Sequence, residues 1–532
     1  MSTAVDVIAP SPSSDREWSF SLERTAPLFS ALIVLAVGIA LIDSLPVGVV
    51  HDDGMYVVLA KSLASGQGYR WIQVPGAPAA THYPPGYPAL LALLWLVYPV
   101  FPANVMLFKF ANACFAALAA TACVRFARER FTMSSLGAGG FAIASILSIP
   151  MLTLSVMVMS EPFFLALVIP ILIYAERVLD SDTARRRDIV FLGLAAGVAT
   201  LVRTHGIALI AAMPLMLVAK RRRVGDAFLF VAAAVAMVLP WQLWAGANAA
   251  AVPAPMQGNY GSYGAWLFAG LHTEGLGLLW RTAARTSVEL IAMFATLAAP
   301  SLPALPRIIA LVALAILSIV GARVYGRRAP VSAVFLALYA TIVIVWPFTP
   351  ARFAWGVWPL VLILPVLGGR EILRWRPSTQ TLRFARIGGL SLTVALAMGH
   401  ALYTVRGYRG RWWASIPRAG AANLRPLVLW AAQHTAPTDV LAVEAESAVY
   451  LYTGRQTVPV HTFTVQQYFN PRTAAQDAEV IDGVLAHYHV DAVAVTTRTI
   501  REATRLLATR TPPLLTLTDS FPGGIVLTPA HR

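Results

Sequence analysis

LIVLAVGIALIDSLPVGVVHDDGMY, residues 32–56, decides the fold, because an apolar run long enough to cross a bilayer ends close to two adjacent carboxylates. A membrane helix needs about 20 mostly apolar residues to cross a hydrocarbon core of roughly 30 Å. The apolar run over 28–45 is long for a signal peptide, and further apolar segments follow it. We therefore expect it to be a retained membrane anchor.

The composition of the whole chain is also that of a membrane protein. Of its 532 residues, 57% are hydrophobic and 13% are charged, which leaves too little charge for the surface of a soluble protein. The net charge of +15 comes from short basic clusters at the ends of apolar segments. Such clusters are typical of cytoplasmic loops, so we expect a lipid bilayer, and no nucleic acid, as a partner. Cys114 and Cys123 share one apolar segment and offer no disulfide framework.

Five basic clusters predict the topology. They are Arg125 with Arg128 and Arg130, Arg177 with 185–187, the run 220–223, Arg323 with Arg327 and Arg328, and Arg370 with Arg374, Arg376, Arg383 and Arg386. Placing all five in the cytoplasm requires an even number of crossings between neighbours. About eleven apolar segments satisfy this rule: 27–46, 104–124, 134–151, 162–178, 188–202, 205–219, 227–245, 304–322, 331–348, 353–369 and 386–404. We expect a cytoplasmic tail over 1–26 and a membrane domain over 27–404.

Three parts of the chain then lie outside the membrane: 47–103, 246–303 and everything after 405. The apolar stretches 86–102 and 286–301 are interrupted or flanked by prolines, so they predict interfacial or partly embedded helices, with a full crossing as the alternative. Residues 53–64 predict a short amphipathic helix, ended by Ser65-Gly66-Gln67-Gly68.

The C-terminal part, 405–532, has a different pattern. DVLAVE (439–444) and VDAVAV (490–495) predict buried strands, and 473–487 predicts a helix between them. The expected fold class is an all-α polytopic membrane protein with a small C-terminal extracytoplasmic α/β domain. That domain shows no metal-ligand spacing, nucleophile elbow or glycine-rich phosphate loop, so a structural or acceptor-guiding cap is the interpretation we favour.

Two motifs place polar residues on the outer face. His51-Asp52-Asp53-Gly54 follows the first span, where adjacent carboxylates are costly unless they are solvated, paired or used in chemistry. A helix cap is the alternative, and it is compatible with catalysis. His82-Tyr83-Pro84-Pro85-Gly86 holds a histidine and a tyrosine at the level of the lipid headgroups, with a rigid turn in an aromatic belt as the alternative.

Three further charged residues share this face. Glu161 stands before Pro162 at the start of a span, where a helix dipole alone could explain it. Arg203 falls at the tip of the 188–219 hairpin, and Arg352 at the start of a later span. Each arginine either reaches the interface or binds an anion. Because the acids and cations lie at span ends and not at the bilayer midplane, the pattern favours a substrate with a polar head and a lipid tail over a transporter.

Five runs in order along the chain, HDDGMYVVLAKSLASGQGY, HYPPGYP, VMSEPFF, LVRTHGIAL and ARFAWGVWP, resemble the GT-C superfamily of membrane glycosyltransferases. The nearest branch holds the protein O-mannosyltransferases and the lipid-A aminoarabinose transferase. The resemblance covers roughly residues 27–404 and rests on the order of the motifs more than on any one of them. It implies a GT-C fold and the transfer of a sugar from a polyprenyl-phosphate donor to an acceptor hydroxyl.

The resemblance also implies roles for single residues. Asp52 takes the family's essential acidic position, while Asp53 stands where the family usually has Glu, which leaves open which of the two is the catalytic base. His82 matches the basic residue before the Pro-Pro step. Glu161 matches the acid of the second outer loop, and Arg352 matches the arginine before a late Tyr or Phe and Pro.

The chemistry of such a transfer suits these side chains. A polyprenyl phosphate is a good leaving group that needs a cation more than a general acid, whereas an acceptor hydroxyl needs a carboxylate base. We expect Asp52 to be that base and Arg203 or Arg352 to hold the phosphate, with both guanidinium groups within about 10 Å of Asp52. Tyr83 is expected to bind substrate. Direct displacement would invert the anomeric centre.

We expect no cofactor, although Asp52, Glu161 and His82 could hold a divalent metal. The expected partners are a polyprenyl-phosphate sugar lipid, a glycan, lipid or protein acceptor, and the bilayer of the inner membrane, with the N-terminus in the cytoplasm. A lipid-linked oligosaccharide flippase or polymerase is one alternative, for which Lys109 is the clearest charged residue within a span. A non-enzymatic membrane scaffold is the other.

Overall fold

The computed structural model describes residues 14–182, 184–300, 302–461 and 471–530. The first thirteen residues of the predicted cytoplasmic tail lie outside this range. Helices make up most of the chain up to residue 221. They are α1 (Ser14–Leu41), α2 (Asp52–Ala64), α3 (Gly86–Val97), α4 (Asn104–Phe131), α5 (Ser135–Ile146), α6 (Ile149–Ser155), α7 (Glu161–Asp180), α8 (Arg186–Val202) and α9 (Ile207–Arg221).

The helices continue to residue 434. They are α10 (Val224–Ala247), α11 (Gln257–Tyr260), α12 (Tyr263–Glu274), α13 (Gly277–Ala298), α14 (Ala304–Arg328), α15 (Pro330–Val345), α16 (Ala351–Trp355), α17 (Trp358–Arg374), α18 (Gln380–Gly410) and α19 (Ser415–His434). Many of their large apolar side chains are exposed, as on a surface that faces lipid.

The apolar helices make the chain a multi-pass membrane protein. Five of the described helices, α4, α7, α10, α14 and α18, are long and apolar enough to cross a bilayer, and the bent pair of α5 and α6 is a sixth candidate. Each of the eleven predicted spans overlaps a helix, but the number eleven stays a prediction. The predicted span 134–151 divides into α5 and α6, which meet at 67°. Ser148 precedes the second helix and Pro150 stands in its first turn, which favours a new helix start there.

The five basic clusters come together at one end of the helical bundle. Arg130 donates to the backbone carbonyl of Arg328 at 2.8 Å and to the Asp180 carboxylate at 2.5 Å. Arg221 and Arg370 donate to backbone carbonyl groups near the ends of α7 and α4. These bonds join the last turns of helices that the sequence analysis assigned to one side of the membrane.

The C-terminal residues form a five-stranded sheet. Its strands are β1 (Val440–Val443), β2 (Gln456–Pro459), β3 (Ala492–Val495), β4 (Leu515–Phe521) and β5 (Gly524–Pro529), in the order β2-β1-β3-β5-β4. β1 pairs parallel with β2 and β3, while β5 pairs antiparallel with β3 and β4. The helices α20 (Glu446–Thr453), α21 (Ala474–His487) and α22 (Arg498–Ala508) connect them. β1, β3 and α21 fall on the three segments that the sequence pattern picked out.

The helix α2 differs from its prediction. The sequence predicted a short amphipathic helix over 53–64, and α2 covers these residues, but residues 53–60 are all buried. The reason is that α3 and the first helix of the C-terminal sheet region pack around α2, so residues 53–60 meet protein on all sides. This burial fixes the first turn of α2, where the two adjacent aspartates stand.

Candidate active site

The turn before α2 gives Asp52 and Asp53 different surroundings. Asp53 is 2% exposed, and its two carboxylate oxygens accept the backbone N–H groups of Gly48 at 3.0 Å and Val50 at 3.1 Å. Burial raises the pKa of Asp53 while these hydrogen bonds lower it, and burial dominates. Both oxygens of Asp53 are therefore engaged in holding the turn closed. The neighbouring carboxylate, that of Asp52, faces the other charged residues.

Asp52 is bound by an arginine and a tyrosine. The Arg352 guanidinium donates to Asp52 Oδ2 at 2.5 Å, and the Tyr83 hydroxyl donates to Oδ1 at 2.5 Å. The side chains of Asp52 and Arg352 are each 24% exposed, so both are open to a ligand. Burial alone would raise the pKa of Asp52, but Arg352, with smaller effects of His51 and Tyr83, outweighs it and lowers the pKa to about 2.

Arg352 also reaches a second carboxylate. Its Nε donates to Glu161 Oε1 at 2.6 Å, and Arg203 donates to the same oxygen at 2.8 Å. Glu161 is fully buried and the Arg203 side chain is 7% exposed, so this inner pair lies behind Arg352. Arg203 also donates to the Ser160 hydroxyl at 2.8 Å. Two carboxylates and two guanidinium groups thus form a chain of charges that alternates in sign, in the order Asp52, Arg352, Glu161 and Arg203.

Asn112 positions the segment that carries Glu161. Its amide nitrogen donates to the carbonyl groups of Met157 at 2.6 Å and Met159 at 2.8 Å, and its oxygen accepts the Tyr87 hydroxyl at 3.2 Å. Residues 156–160 are therefore held in a non-helical conformation across α4. The helix α7 then starts at Glu161, where the helix dipole favours a carboxylate. Asn112 was not predicted as a site residue, although a polar residue within an apolar span can indicate such a role.

The two arginines are fixed by their own backbone surroundings. Arg203 has extended backbone angles between α8 and the 3-10 turn Thr204–Gly206, which turns its side chain towards Glu161. Arg352 is the second residue of the short helix α16, whose Phe353 carbonyl accepts the Tyr339 hydroxyl at 2.8 Å. The Phe353 ring also stacks on His205, with 4.9 Å between the ring centroids. Phe353 thereby connects the segments that carry the two arginines.

His82 does not join this chain of charges. Its Nδ1 lies 2.6 Å from the carbonyl oxygen of Gly261, which requires Nδ1 to carry the proton. Its ring packs on Tyr263 with 4.0 Å between the centroids. Burial lowers the pKa of His82 to about 4, so the ring is neutral at pH 7. A neutral ring carries no charge, so the state of His82 in this structure differs from the basic role that the resemblance implies.

The structure thus brings together Asp52, Tyr83, Glu161, Arg203 and Arg352, one from each of the five runs quoted above. Tyr56 joins them through its hydroxyl, which lies 3.3 Å from the Ser160 hydroxyl. Its place in the HDDGMY motif, one helical turn after Asp52, was the available signal. No pattern in the sequence indicates that the segment 246–303, through Gly261 and Tyr263, covers His82.

The carboxylates Asp52 and Glu161 are bridged by Arg352 and not arranged as a cluster of metal ligands. Among the residues that the structure describes, no group of three or more histidine, cysteine or acidic side chains is placed to hold a metal ion. His82, the third ligand considered from the sequence, is bonded to Gly261. That the protein uses no cofactor stays a prediction.

Two solved structures share this architecture. ArnT from Cupriavidus metallidurans in the apo state matches with a TM-score of 0.52 and 14% identity, over 97% of this chain and 98% of that chain. The archaeal oligosaccharyltransferase AglB from Archaeoglobus fulgidus, in complex with an inhibitory peptide and a dolichol-phosphate, matches with a TM-score of 0.51 and 11% identity, over 89% of this chain and 70% of that chain.

No family model matches the sequence, and no curated protein matches it significantly. The likeness is therefore one of structure, and at 11–14% identity it concerns the fold. ArnT, the lipid A aminoarabinose transferase, and AglB are both members of the GT-C superfamily. This chain has the fold of the GT-C superfamily of membrane glycosyltransferases.

Proposed function

We propose that this protein is a glycosyltransferase that moves a sugar from a polyprenyl-phosphate donor to an acceptor hydroxyl outside the cytoplasm. The observation that carries the proposal is the partly exposed Arg352, which lies between Asp52 and the buried Glu161. A cation beside an accessible carboxylate supplies the two functions that this reaction needs. The cation stabilises the leaving phosphate, and the carboxylate takes the proton of the acceptor.

Arg352 is the residue that meets the donor phosphate in this proposal. Its guanidinium can bind phosphate oxygens in a bidentate manner. Arg203 is too deeply buried to meet a ligand first, so it acts behind Arg352 by neutralising Glu161. Glu161 in turn orients Arg352 through the bond to Nε, which leaves the terminal nitrogen Nη1 directed at Asp52.

The donor also activates the base. While Arg352 pairs with Asp52, the low pKa of Asp52 makes it a weak proton acceptor. A donor phosphate competes for Arg352, and the pKa of Asp52 then rises towards its ordinary range. Asp52 takes the acceptor's proton as the acceptor oxygen bonds to the anomeric carbon. The bond from that carbon to the phosphate oxygen breaks, and the phosphate leaves with the electron pair. This direct displacement inverts the anomeric centre.

The remaining residues orient the substrates. Tyr83 donates to Oδ1 of Asp52, which keeps Oδ2 of Asp52 directed at Arg352. His82, neutral at pH 7, binds the sugar or the acceptor by hydrogen bonding and not by charge. The buried Asp53 holds the turn, so the base is Asp52 and not its neighbour.

The membrane arrangement belongs to the same proposal. In this proposal the chain crosses the inner membrane eleven times, with its N-terminus in the cytoplasm and its C-terminal domain outside. The site then lies at the outer surface of the membrane, where a lipid-linked sugar can enter from the bilayer. The dolichol-phosphate in the AglB complex supports a polyprenyl phosphate as the carrier. The alternative of a flippase or polymerase has less support, because Lys109 donates to the Asp43 carboxylate and to the Leu45 carbonyl at the end of α1.

The proposal is tested by donor turnover in proteoliposomes. The purified chain is supplied with polyprenyl-phosphate sugars and an extract of envelope acceptors, and released polyprenyl phosphate is measured by lipid mass spectrometry. We expect acceptor-dependent release by the wild type and a loss of about 100- to 1000-fold in Arg352→Gln. Arg418→Gln, at an exposed arginine of α19, is the control. A folded wild type that releases no polyprenyl phosphate, or Arg352→Gln with full turnover, would contradict the proposal.

A further inference from the structure

The first residues of α20, in the C-terminal domain, pack against the turn that presents Asp52. Gly48 in that turn and Gly54 in the first turn of α2 have no side chains, and the backbone at both positions approaches α20 closely. A Cβ atom built on Gly48 would lie 2.5 Å from the Ala448 Cβ, and one built on Gly54 would overlap Ser447. Ala448 and Ser447 are both buried. The turn and the C-terminal domain therefore meet without space for an added methyl group.

Hydrogen bonds also stabilise the interface between this turn and the C-terminal domain. The Val47 N–H donates to the Tyr452 hydroxyl at 3.1 Å, at the other end of α20. The Tyr260 hydroxyl, from the second outer segment, donates to the buried Glu446 carboxylate at 2.8 Å. The Thr457 N–H of β2 donates to the Gln73 carbonyl at 2.7 Å. All three parts of the chain predicted to lie outside the membrane thus interlock around α20.

The turn itself needs such support. His51, the residue before α2, has a φ of 68° and a ψ of −68°, which a non-glycine residue rarely adopts. A backbone in such a conformation persists only where its surroundings hold it. Asp53 holds the turn from within through Gly48 and Val50, and α20 covers it from outside. Asp52 follows His51 directly, so a shift of the turn moves its carboxylate relative to Arg352.

We propose that Ala448 and Ser447 of α20 are positioning residues, through which the C-terminal domain sets the distance between Asp52 and the donor phosphate held by Arg352. This inference rests on the proposed function. It assigns to the C-terminal domain a direct part in the transfer step, beyond a structural or acceptor-guiding cap. Donor binding is separate from this effect, because Arg352 and Arg203 lie on segments of the membrane domain.

The test substitutes Ala448→Leu and measures kcat and donor affinity separately in the full-length protein. The larger side chain displaces the turn, and a displacement of about 1 Å at a catalytic group can lower the rate about 100-fold. We therefore expect kcat to fall about 100-fold while the dissociation constant for polyprenyl phosphate changes less than about twofold. Ala475→Leu, at an exposed position of α21, is the matched control.

Tyr452→Phe provides a milder variant if Ala448→Leu does not fold. It removes only the hydroxyl that accepts the Val47 N–H, and we expect kcat to fall severalfold with unchanged donor affinity. Normal kcat in a folded Ala448→Leu, or in Tyr452→Phe, would overturn the inference. So would equal losses of kcat and donor affinity, which would indicate general damage. A wild type without turnover would instead refute the proposed function itself.

Discussion

Asp52 and Asp53 are neighbours in sequence, yet their surroundings divide two tasks between them. The side chain of Asp52 points to Arg352 and Tyr83, whereas Asp53 points back to the backbone of the turn. The sequence could not separate them, because both residue types and the spacing were compatible with either role. The two carboxylates follow directly after His51, whose positive φ no local sequence pattern indicates.

This division predicts different defects in two variants. Asp52→Asn keeps one acceptor oxygen for either Tyr83 or Arg352 but cannot take a proton, so turnover should fall at least about 100-fold while the protein still folds. Asp53→Asn leaves a buried backbone N–H poorly paired, so it should lower the free energy of unfolding by about 1–3 kcal/mol. Turnover and thermal melting of both purified variants measure these effects. The opposite pattern, with an inactive but stable Asp53→Asn, would assign the base to Asp53.

The pH dependence of the reaction follows from the same surroundings. Because Arg352 holds the pKa of Asp52 at about 2 in the free protein, Asp52 is already ionised at pH 5. Its carboxylate loses its charge only as the pH falls towards 2. The pKa of His82, about 4, also lies below this range. Since kcat/KM for the donor reports the free protein, it should stay level between about pH 5 and 8. An acidic limb with a midpoint near pH 6 would indicate a different base.

At the level of elements, the site depends on the break between α6 and α7. Local hydropathy was enough to predict the helices, because each apolar run carries its own signal. The contacts that join them, such as those of Asn112 with Met157 and Met159, connect segments more than 40 residues apart. A single sequence has no pattern that links such distant residues. The acids and arginines could nevertheless be placed on one face, because each stood at the end of a span.

Asn112→Leu should therefore damage the site from a distance. The substitution removes the hydrogen bonds of Asn112 with the Met157 and Met159 carbonyl groups and with the Tyr87 hydroxyl. The segment before α7 is then less firmly held, and Glu161 at the start of α7 can shift. We expect turnover to fall about tenfold or more, together with a lower melting temperature. Leu118→Ala, at an exposed position on the same helix, is the control. Full turnover of Asn112→Leu would show that Glu161 is held by other contacts.

At the level of the whole molecule, the structure separates two ends. The basic clusters join one another near the last turns of α4, α7 and α9, and the candidate active site lies at the start of α7. The C-terminal domain packs on the same side as that site, through α20. The order of basic clusters in the sequence was sufficient to predict this polarity. The interlocking of the outer segments was not predictable, because it depends on surface complementarity between distant residues.

Cysteine labelling tests the orientation. With Cys114 and Cys123 replaced by alanine, a cysteine introduced by Ala475→Cys should react with a membrane-impermeant maleimide on intact cells whose outer surface is accessible. A cysteine introduced by Arg222→Cys, at the basic end, should react only after the membrane is opened. Both positions are exposed. Labelling in the reverse order would place the candidate site in the cytoplasm and would exclude an extracytoplasmic acceptor.

In the proposed reaction, Arg352 holds the phosphate of a lipid carrier beside Asp52. Native mass spectrometry of the purified protein measures this binding directly. The wild type, Arg352→Gln and the control Arg418→Gln are released from mild detergent after incubation with polyprenyl phosphate. We expect one bound polyprenyl phosphate in the wild type and in Arg418→Gln, and at least about tenfold weaker binding in Arg352→Gln. Equal binding by all three proteins, or none by the folded wild type, would contradict the account.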